Sequence, residues 1–280
     1  MSTPETVMTF RMRKSGSDIN WVQLGQFLMA RLGYPAAGIM LMVGLWWIGG
    51  WLIASNPATE SFADFAPEPA LYRFVELVGN GYMLDAALPS LQRIGLGLLW
   101  ATLIGVPVGV AIGLFARIRE LTHVPFQFLR MISPLAWMPI AVMAFATWDS
   151  AIVFLITVAA IWPIVFSSAQ GVRRIDPLWF KVAKNLGAGG VQMLWRIILP
   201  AIGQDVFAGI RLAVGVAWIV LVPAEYLGVT SGLGYAINDA RDTLEYDTLA
   251  AMVVIIGIIG FFLDAICVSF IKRFSWHHEG

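Results

Sequence analysis

Four charged residues inside apolar stretches are the first candidates for chemistry in this sequence: Arg93, Arg130, Arg211 and Glu225. A guanidinium in such a place can bind an oxyanion. A carboxylate would repel an anion, so we interpret Glu225 as an interhelical bonding or gating residue. Each arginine also has a structural explanation. For Arg211 we favour that one: it pairs with an acid such as Asp264 or extends to the membrane interface.

Two Trp-Pro neighbourhoods offer a second kind of polar contact. Trp137 and Met138 precede Pro139 in the first, and Trp162 precedes Pro163 in the second. If the two neighbourhoods meet, they could line a narrow gate whose indole N–H groups donate to an oxyanion. Helix packing with proline kinks explains the same residues equally well, so both interpretations stay open.

The sequence offers little for catalysis or for metal binding. The single cysteine, Cys267, excludes an intrachain disulfide and a thiolate metal site. The histidines are His123 and the terminal pair His277 and His278, which we interpret as a solvated tail. No GxxxxGK[ST] motif is present and no lysine follows a glycine, which excludes a P-loop. We expect no catalytic residue, no metal site and no cofactor on this chain.

The composition places these residues in a membrane. Of the 280 residues, 59% are hydrophobic and 13% are charged, against roughly a quarter charged in soluble domains. A soluble globule or a disordered chain with so much apolar surface is excluded. Basic and acidic residues number 18 each, so the net charge is zero and nothing favours nucleic-acid binding.

Apolar runs predict six membrane-spanning helices, each of about 20 residues. The third and fifth runs need extension at their ends, and Arg211 interrupts the fifth. The runs are residues 31–60, 93–117, 130–149, 149–173, 206–223 and 248–263, the last continuing to 271.

Basic residues predict that both termini are cytoplasmic. With the amino terminus inside, only Arg73 and Arg241 lie in outer loops. The inner segments hold thirteen basic residues: Arg11, Arg13, Lys14, Arg31, Arg117, Arg119, Arg173, Arg174, Lys181, Lys184, Arg196, Lys272 and Arg273. The polar first 18 residues show no cleavable signal peptide.

The runs also suggest four segments. Residues 1–33 are a cytoplasmic segment with an interfacial helix over 19–32, and residues 34–85 hold the first span and an outer loop. Residues 86–271 form the core transmembrane domain, including an inner loop at 173–205, and residues 272–280 are a cytoplasmic tail.

Two further patterns concern packing. In the outer loop, apolar residues spaced as on one helical face predict a short amphipathic surface helix: Leu71, Phe74, Val75 and Val78. In the second span, small residues recur every four positions and predict a face that packs closely on another helix: Gly97, Ala101, Gly105, Gly109 and Gly113.

The inner loop is the most informative segment. Asp176 and Pro177 are typical of a helix start. A glycine break over 187–190 follows, and then a second helix that we expect Pro200 to stop. Spacing alone is equally consistent with an interfacial helical hairpin that covers the inner mouth.

This loop resembles the inner-loop motif of ABC importer permeases, commonly written EAA–three–G–nine–I–x–L–P. Ala183, Gly187, Ile197, Leu199 and Pro200 occupy motif positions, while Lys181 and Val182 replace the usual Glu and Ala. The resemblance implies a coupling helix that inserts into a groove of a cytosolic ATPase. The residues implied in that contact are Lys181, Ala183, Lys184, Asn185, Gly187, Ala188 and Gly189.

The resemblance extends over about residues 69–276. SLQRIGLG, GVPVGVAIGL, GIRLAVGVAW, AEYLGVTSGLGY and GFFLD are similar to the nitrate/sulfonate/taurine branch of these permeases. ISPLAWMPI over 132–140 and AAIWPIVFSS over 159–168 look most like nitrate and bicarbonate permeases.

The resemblance implies an all-α membrane protein with six transmembrane helices in the type I ABC importer permease fold, a cytoplasmic coupling helix and short amphipathic surface helices. It further implies a bacterial inner-membrane importer with a second, identical permease subunit, ATPase subunits that carry ATP and Mg²⁺, and an extracytoplasmic substrate-binding protein. The implied function is import of a small oxyanion, foremost nitrate and then nitrite or cyanate, by alternating access. The chain itself is not an enzyme.

Three alternatives stay open. The chain could be a permease for bicarbonate, alkanesulfonates or taurine. It could be a stand-alone secondary transporter, which leaves the inner-loop motif unexplained. It could be an intramembrane enzyme using Ser167, Ser168 or Ser231, although His123 lies near the inner surface, far along the topology from Ser231.

Overall fold

The computed structural model describes the backbone of residues 33–275 and the side chains of residues 33–271. The interfacial helix predicted over 19–32 lies outside this range, as do the side chains of the predicted tail. Within the range the chain is helical and contains no β-strand, so the all-α prediction is confirmed.

Twelve α-helices follow one another in the described part of the chain. They are α1 (Tyr34–Ala54), α2 (Pro67–Gly79), α3 (Tyr82–Leu114), α4 (Ala116–Met131), α5 (Met138–Ala144), α6 (Trp148–Arg174), α7 (Pro177–Asn185), α8 (Gly190–Met193), α9 (Leu199–Ala201), α10 (Gly203–Tyr226), α11 (Leu233–Asp242) and α12 (Tyr246–Ser275). Two 3₁₀-helices, Glu60–Phe65 and Pro134–Trp137, and a π-helical turn at Leu194–Ile198 complete the order.

Five of these helices are long and apolar enough to span a membrane, namely α1, α3, α6, α10 and α12. A sixth span exists only as a bent pair, in which α4 meets residues 134–144 at an angle of 88°. The predicted count of six spans is matched when this bent pair counts as one, but the third span is not a single straight helix over residues 130–149. Pro134 disfavours helical backbone at the residue before it, and Ser133 is extended with φ −57° and ψ 129°.

The core lies where α3, α6 and α10 pack together. The small residues along one face of α3 explain why α3 and α6 pack so closely. A Cβ atom on Gly97 or Gly105 would collide with the side chain of Ile156 or Ile164 of α6. At Gly109 it would lie 2.5 Å from the carbonyl oxygen of Val165. The predicted packing face is thus confirmed, because close approach of the two backbones requires positions without side chains.

A second cluster joins α2 and the start of α3 to α11 and α12. The predicted surface helix exists as α2, but its inward face differs from the predicted apolar face. Ala70 and Leu77 are buried, and half-buried Phe74 packs with them, whereas the other predicted apolar residues point outward: Leu71, Val75 and Val78. Tertiary contact with α12 selects the buried side.

A polar contact fastens α2 to the first turn of α12. Arg73 donates to the hydroxyl of Thr248 at 2.9 Å and, within α2, to Glu76 at 2.7 Å. The hydrogen bond to Glu76 raises the pKa of Arg73 above its usual value, so the guanidinium stays charged at this junction.

Candidate functional site

The bend between α4 and α5 opens a cavity of about 530 Å³ against α6 and α10. Trp162 lies midway along α6 and lines this cavity, so the cavity lies near the middle of the membrane-spanning layer. Ile132 and Pro134, at the break itself, form another wall. Non-helical backbone at membrane depth is tolerated where protein or water satisfies its polar groups. The break therefore indicates a hydrated or protein-covered face.

Arg130 brings a positive charge to this cavity. Its guanidinium carbon lies 5.3 Å from the centre of the Phe166 ring, a cation–π contact. Among the residues that the structure describes, no carboxylate forms an ion pair with Arg130, although other arginines, such as Arg93 and Arg211, do pair with acids. In the single chain the Arg130 side chain is exposed.

Aromatic rings form one wall of the cavity. Trp162 packs edge-on against Phe126 of α4, with ring centres 5.3 Å apart, and stacks on Phe166 at 6.4 Å. Ser167 and Gln170 add polar groups to the lining. The helical spacing of Phe166 and Gln170 from Trp162, four and eight residues on, is the signal that could have identified them from the sequence.

The two Trp-Pro neighbourhoods are not brought together in this cavity. Trp162 lines it, but Trp137 instead packs against the core cluster, in which Met138 is buried. The indole nitrogen of Trp137 is buried and has no hydrogen-bond partner among the described residues.

Arg93 and Glu225 lie elsewhere, in a buried polar cluster that joins the outer-loop ends of α3 and α10. Arg93 is 4% exposed and Glu225 is fully buried. The Nη1 atom of Arg93 donates to Glu225 at 2.5 Å, and its Nε atom donates to Asp149 at 2.7 Å. Ser90 donates to Glu225 at 2.8 Å. Glu225 thus forms an interhelical bond, one of the two roles that the sequence suggested.

The loop between α10 and α11 closes over this cluster. Arg93 donates to the carbonyl oxygen of Ser231 at 2.8 Å, and the N–H of Gly234 donates to Glu225 at 2.9 Å. Gly232 has φ +116°, and a Cβ atom there would lie 2.6 Å from Arg93 Nη1. Only glycine fits this turn. Ser90, Asp149 and Ser231 were not predicted as partners because nothing in their local sequence marks them.

Arg211 is also paired, but in an exposed position. Its Nε and Nη2 atoms donate to the two carboxylate oxygens of Asp264 at 2.8 and 2.9 Å. This is the structural alternative favoured from the sequence. The two side chains are nevertheless 45% and 53% exposed.

The inner loop has the predicted helix–break–helix form. Asp176 caps α7 by accepting from the N–H of Leu178 at 2.8 Å. The N–H of Ala188 donates to the carbonyl of Ala183, and that of Gly187 to Lys184, which is the Schellman pattern. Gly187 has φ +81°, the left-handed backbone that this cap requires.

The coupling candidates divide by exposure. Ala183 is buried, Ala188 is half-buried, and the others are exposed: Lys181, Lys184, Asn185, Gly187 and Gly189. The expectation that Pro200 stops the second helix is wrong by a residue, because Pro200 lies in the first turn of α9, which ends at Ala201. Proline is compatible with a first helical turn, where its missing N–H costs no bond.

A family model described as the binding-protein-dependent transport system inner membrane component matches residues 101–276. The chain belongs to this family. It is an ABC importer permease of the nitrate/sulfonate/taurine branch, with the type I permease fold.

Among the described residues, no cluster of three His, Cys, Asp or Glu side chains is arranged to hold a metal ion.

Curated relatives of this permease differ in their stated substrates. The taurine transport system permease protein of Escherichia coli is 31% identical, over 86% of this chain and 88% of its own. The bicarbonate transport system permease protein of Synechococcus elongatus is 32% identical, over 90% and 92%. The nitrate import permease protein of Leptolyngbya laminosa is 34% identical, over 63% of each chain.

Proposed function

We propose that this permease forms half of the translocation pathway for a small oxyanion, foremost nitrate, and that a separate ATPase drives its alternating access. The observation that carries the proposal is Arg130, an arginine with no carboxylate partner among the described residues, in a cavity at mid-depth. An uncompensated charge inside a membrane is costly and is generally retained for function. A bound anion would compensate it.

The lining of the cavity supports an inorganic oxyanion over taurine. Its polar side chains are Arg130, Trp162, Ser167 and Gln170, and it contains no aspartate or glutamate. Nitrate needs hydrogen-bond donors, and all four side chains can donate. Taurine carries an ammonium group that is best met by a carboxylate. Bicarbonate carries a hydroxyl that the oxygen of Ser167 or Gln170 can accept, so competition in transport separates nitrate from bicarbonate.

The exposed inner loop supports an ATPase as the partner. Leu178, Val182 and Leu186 are exposed at every fourth position along and just beyond α7, with Lys181 and Lys184 beside them. A contiguous exposed apolar patch with a polar rim is typical of a docking surface. We propose that α7 enters a groove of a cytosolic ATPase, which holds the ATP and Mg²⁺ that this chain does not.

The open side of the cavity supports a pair of permease subunits. Leu212 and Val216 of α10 line the cavity and are exposed in the single chain. A second copy of the permease facing this side would complete the pathway. The expected assembly also has a substrate-binding protein on the outer side of a bacterial inner membrane, with both termini of the permease in the cytoplasm.

Transport by the whole importer in liposomes tests the proposal. Uptake of labelled nitrate should need ATP, the ATPase and the binding protein, and nitrite or cyanate should compete better than bicarbonate or taurine. Loss of a charge-assisted contact predicts that Arg130→Gln lowers nitrate uptake by about tenfold or more, with part retained in Arg130→Lys. Arg241→Gln, which removes a cation from the outer surface, is the control.

Two results would contradict the proposal. Full nitrate uptake by Arg130→Gln would remove Arg130 from the pathway. Nitrate uptake by the permease without any ATPase would show that the chain is not the subunit of an ATP-driven importer.

A further inference from the structure

The ion pair between Arg211 and Asp264 lies at membrane depth and is nevertheless exposed. Arg211 is in the ninth position of the span α10, and Asp264 is in α12, eleven residues before its end. Both side chains show about half of their surface to the outside of the subunit. The buried pair of Arg93 and Glu225 has no such exposure.

Lipid is a poor neighbour for such a pair. Charged groups within a bilayer face a protein interior or a water-filled cavity, because hydrocarbon gives them no hydrogen bonds. Arg211 does not extend freely toward the interface, since two hydrogen bonds hold its guanidinium on Asp264. The surface that carries the pair must therefore face water or another protein subunit.

The position of the pair on α10 favours water. One stripe of α10 is left uncovered by the rest of the chain, at helical spacing: Ala208, Arg211, Leu212, Gly215, Val216 and Ile219. Leu212 and Val216, on this same stripe, line the Arg130 cavity. Arg211 borders them on the side nearer the inner loop, because α10 begins there. The stripe thus continues from the cavity to the ion pair without interruption.

We propose that this stripe lines a water-filled inner part of the pathway and that Arg211 is a second anion contact, which exchanges Asp264 for the passing anion. Asp264 compensates the charge of Arg211 when no anion is present. An exposed pair can separate at low cost, because water replaces its hydrogen bonds. The role of Arg211 toward the anion rests on the proposed function, whereas hydration of the stripe does not.

The permease carries its own reporter for this inference. Cys267, the single cysteine of the sequence, lies three residues after Asp264 on α12 and is partly exposed. Residues three apart share a helix face. Charged methanethiosulfonate reagents react with a thiol that water reaches, and they do not enter hydrocarbon.

The experiment measures the rate at which the reagent labels Cys267 in the assembled importer in liposomes. Mass spectrometry of the peptide that contains Cys267 gives the labelled fraction. The matched control is Cys267→Ser with Ile266→Cys, which moves the thiol by one residue to an exposed site about 100° around α12 from Cys267 and about 160° from Asp264. Because charged reagents do not partition into hydrocarbon, we expect Cys267 to react at least about tenfold faster than the control. Equal rates at the two positions would overturn hydration of the stripe.

The sign of the reagent tests whether Arg211 acts on an anion in the water at Cys267. A unit charge a few ångströms away in water changes the sulfonate and trimethylammonium labelling rates about fivefold in opposite directions. The ratio of sulfonate to trimethylammonium labelling rates should therefore rise in Asp264→Asn and fall in Arg211→Gln, each by about twenty-five-fold. A ratio that both variants leave unchanged would overturn the anion contact.

Substrate protection separates the two proposals. If nitrate slows sulfonate labelling of Cys267 in wild type and not in Arg211→Gln, both proposals are supported. If Cys267 is accessible but nitrate does not slow its labelling, hydration of the stripe holds and the contact between Arg211 and nitrate is overturned. Nitrate uptake by the same liposomes then shows whether the proposed function fails as well.

Discussion

Arginine residues in the spans of this permease have three different environments, which the residue type alone does not reveal. Arg93 is buried with two carboxylates, Arg211 is paired but exposed, and Arg130 lies over an aromatic ring in a cavity. The cost of moving each charge into the membrane is met by a different partner. Only an unpaired or separable cation can bind a passing anion, so Arg93 is structural.

The buried pair predicts a large effect on stability. Glu225→Ala should lower the free energy of unfolding by about 3–5 kcal/mol, because it leaves Arg93 and the N–H of Gly234 without their buried acceptor. Thermal unfolding of the purified permease in nanodiscs measures this. Glu76→Ala, which breaks an exposed pair with Arg73, should have a much smaller effect.

A double variant checks the physical reason for that loss. Arg93→Met with Glu225→Met should lose less stability than the two single variants together, because no buried charge is left unpaired and Asp149, which also loses Arg93, is exposed. Additive losses, or equal effects of Glu225→Ala and Glu76→Ala, would contradict the assignment of a buried interhelical pair.

At the scale of elements, prolines and glycines decide where the helices stop and how closely they pack. The third span is broken ahead of Pro134, and the break opens the cavity that holds Arg130. In the inner loop, Gly187 ends α7 in a left-handed residue and directs the chain into the second helical segment. The shape of the cavity and the direction of the inner loop therefore each depend on the backbone conformation at one or two residues.

The cap at Gly187 makes a prediction about energy coupling. Gly187→Ala should cost roughly 1–2 kcal/mol in the loop, because an L-residue resists φ +81°. Substrate-stimulated ATP hydrolysis by the reconstituted importer should fall, while the basal rate of the ATPase stays unchanged.

Gly190 provides a matched control three residues away. It begins α8, its φ is not positive, and a Cβ atom there would meet no other atom within 4 Å. Gly190→Ala should therefore retain normal stimulation. If both variants stimulate ATP hydrolysis normally, the conformation of Gly187 is unimportant for coupling.

At the scale of the whole molecule, charge is distributed unevenly although the net charge is zero. The thirteen basic residues of the predicted inner segments exceed the two of the outer loops, which predicts cytoplasmic termini. A fluorescent protein fused after Gly280 should therefore fluoresce in cells, and alkaline phosphatase at the same position should be inactive. The opposite pattern would invert the topology and move α7 away from any cytosolic ATPase.

The fold was largely predictable because its signals are local. Apolar runs indicated the spans, the four-residue spacing on α3 indicated its packing face, and Asp176 with Pro177 indicated the start of α7. The third span was misplaced because hydropathy does not report backbone direction, and the charge-free run around Pro134 looked continuous. The inward face of α2 was missed for a related reason, since contact with α12 selected it.

The sequence by itself determined the class of protein, its family and the helix–break–helix form of its inner loop, because hydropathy, turn residues and motif spacing act over short stretches of chain. Only the tertiary structure decided which charges are compensated. Arg211 and Asp264 are 53 residues apart, and Arg93 and Glu225 are 132 apart. Whether such side chains meet depends on how helices pack and where a span bends. Among the described residues, that packing leaves Arg130 in the cavity without an acidic partner, which is the observation behind its proposed contact with an anion.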